Sequence, residues 1–167
     1  MAVLRERPYP QFNFLVDLGT GTEGVQAGFQ ECGPIGMSVD VIEYRNGNHK
    51  ENEVIKLTGL ARVNDVTLRR GLIGSLDLYD WRRRIVEGTE DRRAITIQQL
   101  ETPAGRVANA WRLERAWPCR WSGPAFNAVE SGVAYEELEL AFDDLVWQEE
   151  AVTPTPRSRS RTTTQGA

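Results

Sequence analysis

One histidine, His49, and two cysteines, Cys32 and Cys119, are all that the 167 residues hold of those two types. No zinc-ligand spacing can be built from so few. A Ser-His-Asp triad would have to use His49, which sits in the polar stretch "NGNHKENE" with no nucleophile elbow to support it, so it reads as a loop histidine. The glycines of "GTGTEG" at 19–24 lack a following Lys-Ser/Thr pair and a following helix, so a hairpin turn is expected there and not a phosphate loop. The acidic pairs Glu136–Glu137 and Asp143–Asp144 are adjacent in sequence, which on a strand sends the two side chains to opposite faces. The residues therefore assign no catalytic, cofactor or metal role, and a binding or structural role is expected instead of an enzyme.

Long apolar runs are also lacking. None approaches the 18–20 residues of a membrane span, and "MAVLRERPYPQFNF" has no unbroken apolar core of a secretory signal. Cytoplasmic synthesis follows as the expectation, with Cys32 and Cys119 reduced and partly buried. Lysine is scarce as well: Lys50 and Lys56 stand against eighteen arginines.

What is present fits one soluble domain: 40% hydrophobic and 26% charged residues, at a length that can bury its own core. Net charge is −4, unevenly spread. Residues 151–167, "AVTPTPRSRSRTTTQGA", hold Arg157, Arg159 and Arg161 and no acid, leaving about −7 on residues 1–150. The expected organisation is a domain over 1–150 and a flexible Thr/Ser/Arg/Pro-rich extension over 151–167.

The dominant period is two. Phe12, Phe14, Val16 and Leu18 alternate in "FNFLVDLG"; Val25, Ala27 and Phe29 in "VQAGF"; Met37, Val39 and Val41 in "MSVDV". Further on, Leu138, Leu140 and Phe142 in "VAYEELELAF" oppose Glu137 and Glu139. Such alternation marks antiparallel strands with one buried face. Turn residues separate the runs, including "ECGPIG", "RNGN" and "SGPAFN". A mainly β domain, barrel or sandwich, is expected.

The exception lies in "VTLRRGLIGSLDLYDWRRRIVEG", residues 66–88, a strand followed by a helix over about 75–87. Ser75 is a fair N-cap, Asp77 suits the positive end of the helix dipole, and Gly88 suits the stop. Leu78, Trp81 and Ile85 fall at helical spacing for docking on a sheet, which turns most of Arg82, Arg83 and Arg84 outward.

Three stretches carry a resemblance. "GLARVNDVTLRRGLIGSLDLYDW", "AWRLERAWPCRWSGPAFNAVESGVAYEELELAFDDL", and "PYPQFNFLVDL" with "AGFQECGPIGMSVDVIEYRNG" together resemble, in order, the contractile-tail tube proteins from about residue 8 to 147. That family comprises phage tail tubes, inner tubes of extracellular contractile injection systems and, more distantly, the type VI secretion tube. The resemblance implies an antiparallel β-barrel-like subunit with one outer helix, in rings of six that stack around a hollow lumen. It implies as partners further copies of the chain, a sheath protein, a baseplate hub or spike, and a tube-terminating cap. Protein cargo would pass through the lumen, and nucleic acid only if the tube is a phage tail conduit. Assembly in the cytoplasm would end in a phage tail or injection particle, and no cofactor is implied.

The resemblance also implies site roles. Asn46, Gly47, Asn48, His49 and Lys50 correspond to a loop that touches the next ring. Leu78, Trp81 and Ile85 dock the helix, and Arg82, Arg83 and Arg84 face a neighbouring subunit or the sheath. Gln98, Glu137 and Glu139 are candidates for the lumen wall. Residues 151–167 extend past the family's usual end. The competing expectation is a monomeric β-barrel that binds a small molecule through Trp111, Trp117 and Trp121.

Overall fold

A computed structural model of the chain describes residues 8–20, 26–45, 47, 54–101 and 105–148. Ten strands and one helix follow in order: β1 (Phe14–Asp17), β2 (Gln26–Ala27), β3 (Glu31–Cys32), β4 (Met37–Tyr44), β5 (Ile55–Val63), β6 (Val66–Gly71), α1 (Asp77–Val86), β7 (Arg93–Leu100), β8 (Val107–Ser122), β9 (Tyr135–Ala141) and β10 (Asp144–Gln148). Every pairing is antiparallel.

One sheet runs β2-β1-β7-β8-β9-β6-β3, with β10 also on β8, and β4 and β5 form a separate two-stranded sheet. The long strand β8 belongs to both halves of the larger sheet. Its first part pairs with β7 and β10, and its last part, from Trp117 to Ser122, pairs with β9. Between them the ladder to β7 carries a bulge, and Arg115 takes a left-handed φ of 53°. A bulge of this kind bends the strand and sharpens its twist, which folds the sheet over on itself.

The two halves enclose the core: Val16 and Leu18 from β1 and its end, Phe29, Val66 and Leu68 from β6, Ile95 and Ile97 from β7, Leu113 and Ala116 from β8, and Leu138, Leu140 and Phe142 around β9. Period-two alternation places these side chains inward. In β9 it places Glu136 inward too and leaves Glu137 outside. Near the amino end the alternation decays outward: Val16 and Leu18 are buried, Phe14 half-buried and Phe12 exposed. Gly19, at φ 65°, closes that strand where a Cβ would stand 2.4 Å from the Ala94 carbonyl oxygen, a position only glycine fits.

The alternation in "MSVDV" does not mark a buried face. Met37, Val39 and Val41 are all exposed, as is every residue of β4. The hairpin pairs only with itself and leaves the core beyond Val63, which packs against it at the hairpin's base. Residues 151–167, and all but Gly47 of the segment 46–50, lie outside the described residues.

Candidate functional site

The helix is held at its start by a buried charge cluster. Arg70, on β6, continues the inward face of Val66 and Leu68, and Glu136 on β9 is its cross-strand partner. Both are 2% exposed. Arg70 Nε donates to Glu136 Oε1 at 2.7 Å, and its Nη1 donates to Asp77 Oδ2 at 3.1 Å in the first turn of α1, with Nη2 on Asp77 Oδ1. Trp121 Nε1 donates to the other Glu136 oxygen at 3.1 Å. Burial opposes the Arg70 charge, yet its two carboxylate partners outweigh that and raise its pKa. Burial likewise pushes Asp77 up, and hydrogen bonds from Arg70 and Ser75 more than reverse it, leaving its carboxyl below the ordinary range.

This cluster changes the expected cap. The N-cap residue is Leu76, with no side-chain cap bond, and the helix begins two residues after Ser75. Ser75 Oγ donates to Asp77 Oδ1 at 2.6 Å, so the hydroxyl serves the charge cluster. Gly88, at φ 88°, follows the last turn as a left-handed stop.

The other end is pinned through Trp81. Its ring is fully buried, its Nε1 donates to the Asp91 carbonyl at 2.9 Å, and the Arg93 guanidinium lies 4.2 Å from the ring centroid. Arg93 holds the Asp91 carboxylate with two hydrogen bonds of 2.9 and 2.7 Å, which lowers that group's pKa. Leu78 is buried beside Trp81, and Ile85 is half-buried.

The three helix arginines are not equivalent. Arg83 pairs with Glu87 at 2.7 Å and Arg84 with Asp91 at 3.2 Å, both within the subunit. Arg82, half-buried, has no ion-pair partner among the described residues. Of the three helix arginines, Arg82 is thus the one whose charge is not taken up by an ion pair among the described residues.

The expected lumen candidates separate. Glu137 and Glu139 lie on the outer side of the β6–β9 pair, opposite Leu138 and Leu140, where Arg69 approaches Glu137 at 3.5 Å. Gln98 lies on β7, in the other half of the sheet.

The tryptophans of the competing reading do not converge. A cavity of about 670 Å³ opens beside β1, β3 and β7, lined by Phe12, Phe14, Ile35, Ile97 and Trp111 among others, and neither Trp117 nor Trp121 reaches it. Trp111 faces Trp147 with ring centroids 5.9 Å apart, and Trp121 meets Tyr79 edge-on at 5.3 Å. Near Glu139, atoms of Asp65, Cys119 and Glu139 come within 4.8 Å of one another. Burial and the two nearby carboxylates push the Cys119 thiol up, and it donates to the Glu139 carbonyl.

The surface that most needs a partner is the hairpin. Eight large apolar side chains of β4 and β5 are exposed, from Ile55 at 44% to Leu60 at 72%. A lone two-stranded hairpin is marginal in water, and apolar exposure on this scale marks an interaction surface.

The family model described as T4-like virus tail tube protein gp19 matches residues 10–146. No curated protein matches the chain. Among solved structures, the chain is similar to one from the PVC sheath-tube complex of an extracellular contractile injection system in its extended state. The two are 28% identical with a TM-score of 0.76, over 87% of this chain and 94% of that one. It is similar at 26% identity and TM-score 0.72 to a chain of the PVC sheath/tube terminator, over 86% and 98% of the two chains. A chain of the anti-feeding prophage baseplate, solved with 6-fold symmetry imposed, shares the fold at 20% identity and TM-score 0.76, over 86% and 97%.

Proposed function

The chain belongs to the T4-like virus tail tube protein family and is a structural protomer of the inner tube of a contractile injection machine; from that premise, we propose that six copies close each ring by burying the β4–β5 hairpins between copies. The observation that carries the proposal is the hairpin's exposure on both faces. A protein built to remain single would not keep so much apolar strand in water, whereas a tube subunit covers it on assembly and removes open strand edges as well.

Rings stack into a hollow conduit. The sheath protein, the baseplate and the terminating cap are its further partners, in keeping with the sheath-tube, terminator and baseplate assemblies of the similar chains. Arg82 contributes to contact with the sheath or a neighbouring copy. The segment 46–50 falls between β4 and β5 in sequence, and its part in this reading is contact with the next ring. Assembly takes place in the cytoplasm, before the particle is completed. The role is mechanical: the protein guides cargo and carries out no reaction of its own.

Expression alone and with the sheath and baseplate proteins, followed by sizing and negative-stain microscopy, tests the proposal. Rings or tubes support it. A strictly monomeric protein of 18.8 kDa at high concentration, also in the presence of the sheath and baseplate proteins, contradicts it.

A further inference from the structure

The inner side of the β1, β7, β8 and β10 strands is not covered along its whole length. Val16 and Ile97 on that side are buried, whereas Phe14 and Trp111 are half-buried and Phe12 is 76% exposed. Trp147, whose ring faces Trp111, is 63% exposed. The uncovered stretch forms one wall of the cavity of about 670 Å³ beside β3, to which Phe12, Phe14 and Trp111 give an aromatic surface. Gln11, Gln30 and Glu31 add polar groups to the lining. The side-chain amides of Gln11 and Gln30 make no hydrogen bond among the described residues. Glu31, the only charge in the described lining, has one loose ion pair, with Arg69 at 3.7 Å.

The chain beyond β10 sets out from this wall. Gln148, the last described residue, stands one position past Trp147, and Trp147 pairs with Trp111. The sequence continues through Glu149, Glu150 and Ala151 to "VTPTPR" at 152–157. Val152 is four residues beyond Gln148 and so stands no more than about 14 Å from it. Thr153 and Thr155 each precede a proline, which biases them to extended backbone, and Pro154 and Pro156 have their own φ fixed. Such a sequence is predisposed to the polyproline II form, which leaves its carbonyls free, and aromatic-lined grooves take segments of that form at low entropic cost. The charges agree as well. Arg157 is the first charge after the prolines, and residues 151–167 carry +3 against about −7 on residues 1–150.

We propose that residues 152–157 occupy this groove in their own chain. Pro154 and Pro156 lie against Phe12, Phe14 and Trp111, the Gln11 and Gln30 amides donate to carbonyls of the segment, and Arg157 stands beside Glu31. The segment lies beyond the family match, which ends at residue 146, and its docking is independent of how copies assemble.

A photo-crosslinking residue, p-benzoylphenylalanine, in place of Phe12 tests this in the full-length chain, with a second probe at Gln11 in case the first disturbs folding. Chains of natural and heavy-isotope composition are mixed before illumination, and the adducts are mapped by mass spectrometry. The expected adducts join the probe to residues 152–157 of a chain of the same isotopic composition. Adducts spread evenly over 149–167, adducts confined to residues 1–7, mixed-isotope adducts, or none at all overturn the proposal. Pro154→Gly with Pro156→Gly, and separately Arg157→Glu, are each expected to lower the yield on this segment at least threefold. An unchanged yield in both variants overturns it too, since a merely tethered segment would react without regard to its prolines or its charge.

Discussion

Arg70 and Glu136 face each other directly across the β6–β9 pair, both almost completely buried, and the same guanidinium reaches the first turn of the only helix among the described residues. The interior thus holds a charge cluster that fixes the helix to the sheet. Removing one partner leaves an uncompensated buried charge. Glu136→Ala is expected to cost about 3–5 kcal/mol in urea unfolding, while the paired replacement Arg70→Met with Glu136→Leu is expected to cost far less. Equal losses in the single and paired variants would show that the ion pair is not the source of the cost.

Acid should loosen the same region. Asp77 and Asp91 both have folded-state pKa values below the unfolded carboxylate value near 3.8. Groups depressed in this way contribute stability that is fully present above the unfolded pKa and lost as pH falls through the folded one. Stability is therefore expected to be flat in this respect above about pH 5 and to fall below about pH 4. Asp77→Asn should lower stability at neutral pH and flatten the acid limb, as read from denaturant midpoints across pH. An acid limb unchanged in that variant would remove Asp77 from the account.

Trp81→Ala is expected to cost about 3–5 kcal/mol, since the ring is fully buried and its loss leaves a cavity. The comparison is Ile85→Ala, at a half-buried position on the same face, where a clearly smaller loss is expected in the same unfolding measurement. Equal losses would mean that the helix docks differently from the packing described above.

Among the helix arginines, Arg82→Glu should leave the monomer's melt unchanged and weaken assembly or sheath attachment. Arg83→Glu places a like charge beside Glu87 in an exposed pair, and Arg84→Glu places one beside the half-buried Asp91, so each is expected to lower stability only slightly. Co-sedimentation with sheath distinguishes the three. Full attachment by the Arg82 variant would return that residue to an ordinary solvated position.

Much of the fold was legible because period-two alternation reports a buried face. It placed Leu138, Leu140 and Phe142 inward, and helical spacing gave a helix within a residue or two of its observed ends. The same period also put Arg70 in line with Val66 and Leu68, and Glu136 in line with Leu138 and Leu140. Their charges hid that signal, because an isolated charge is costly to bury and the partner lies 66 residues away. The hairpin misled in the opposite sense. Met37, Val39 and Val41 alternate just as core residues do, and the pattern alone does not tell a strand covered by its own chain from one left for a partner to cover. The corner of β8 has no sequence signature either: a left-handed residue is usually glycine or asparagine, and here it is Arg115, whose guanidinium pairs with Asp143 across the bend. Of the surfaces considered for assembly, the hairpin lay in plain view as a pattern, and its exposure came only with the fold.

The most direct measurement is a cryo-electron microscopy map of the assembled tube, read at Met37, Val41, Leu57 and Leu60. The account predicts rings of six copies in which these four side chains are covered by other copies of the chain. A tube that leaves them exposed to the lumen or to bulk water, or rings closed without the β4–β5 hairpin, would contradict it.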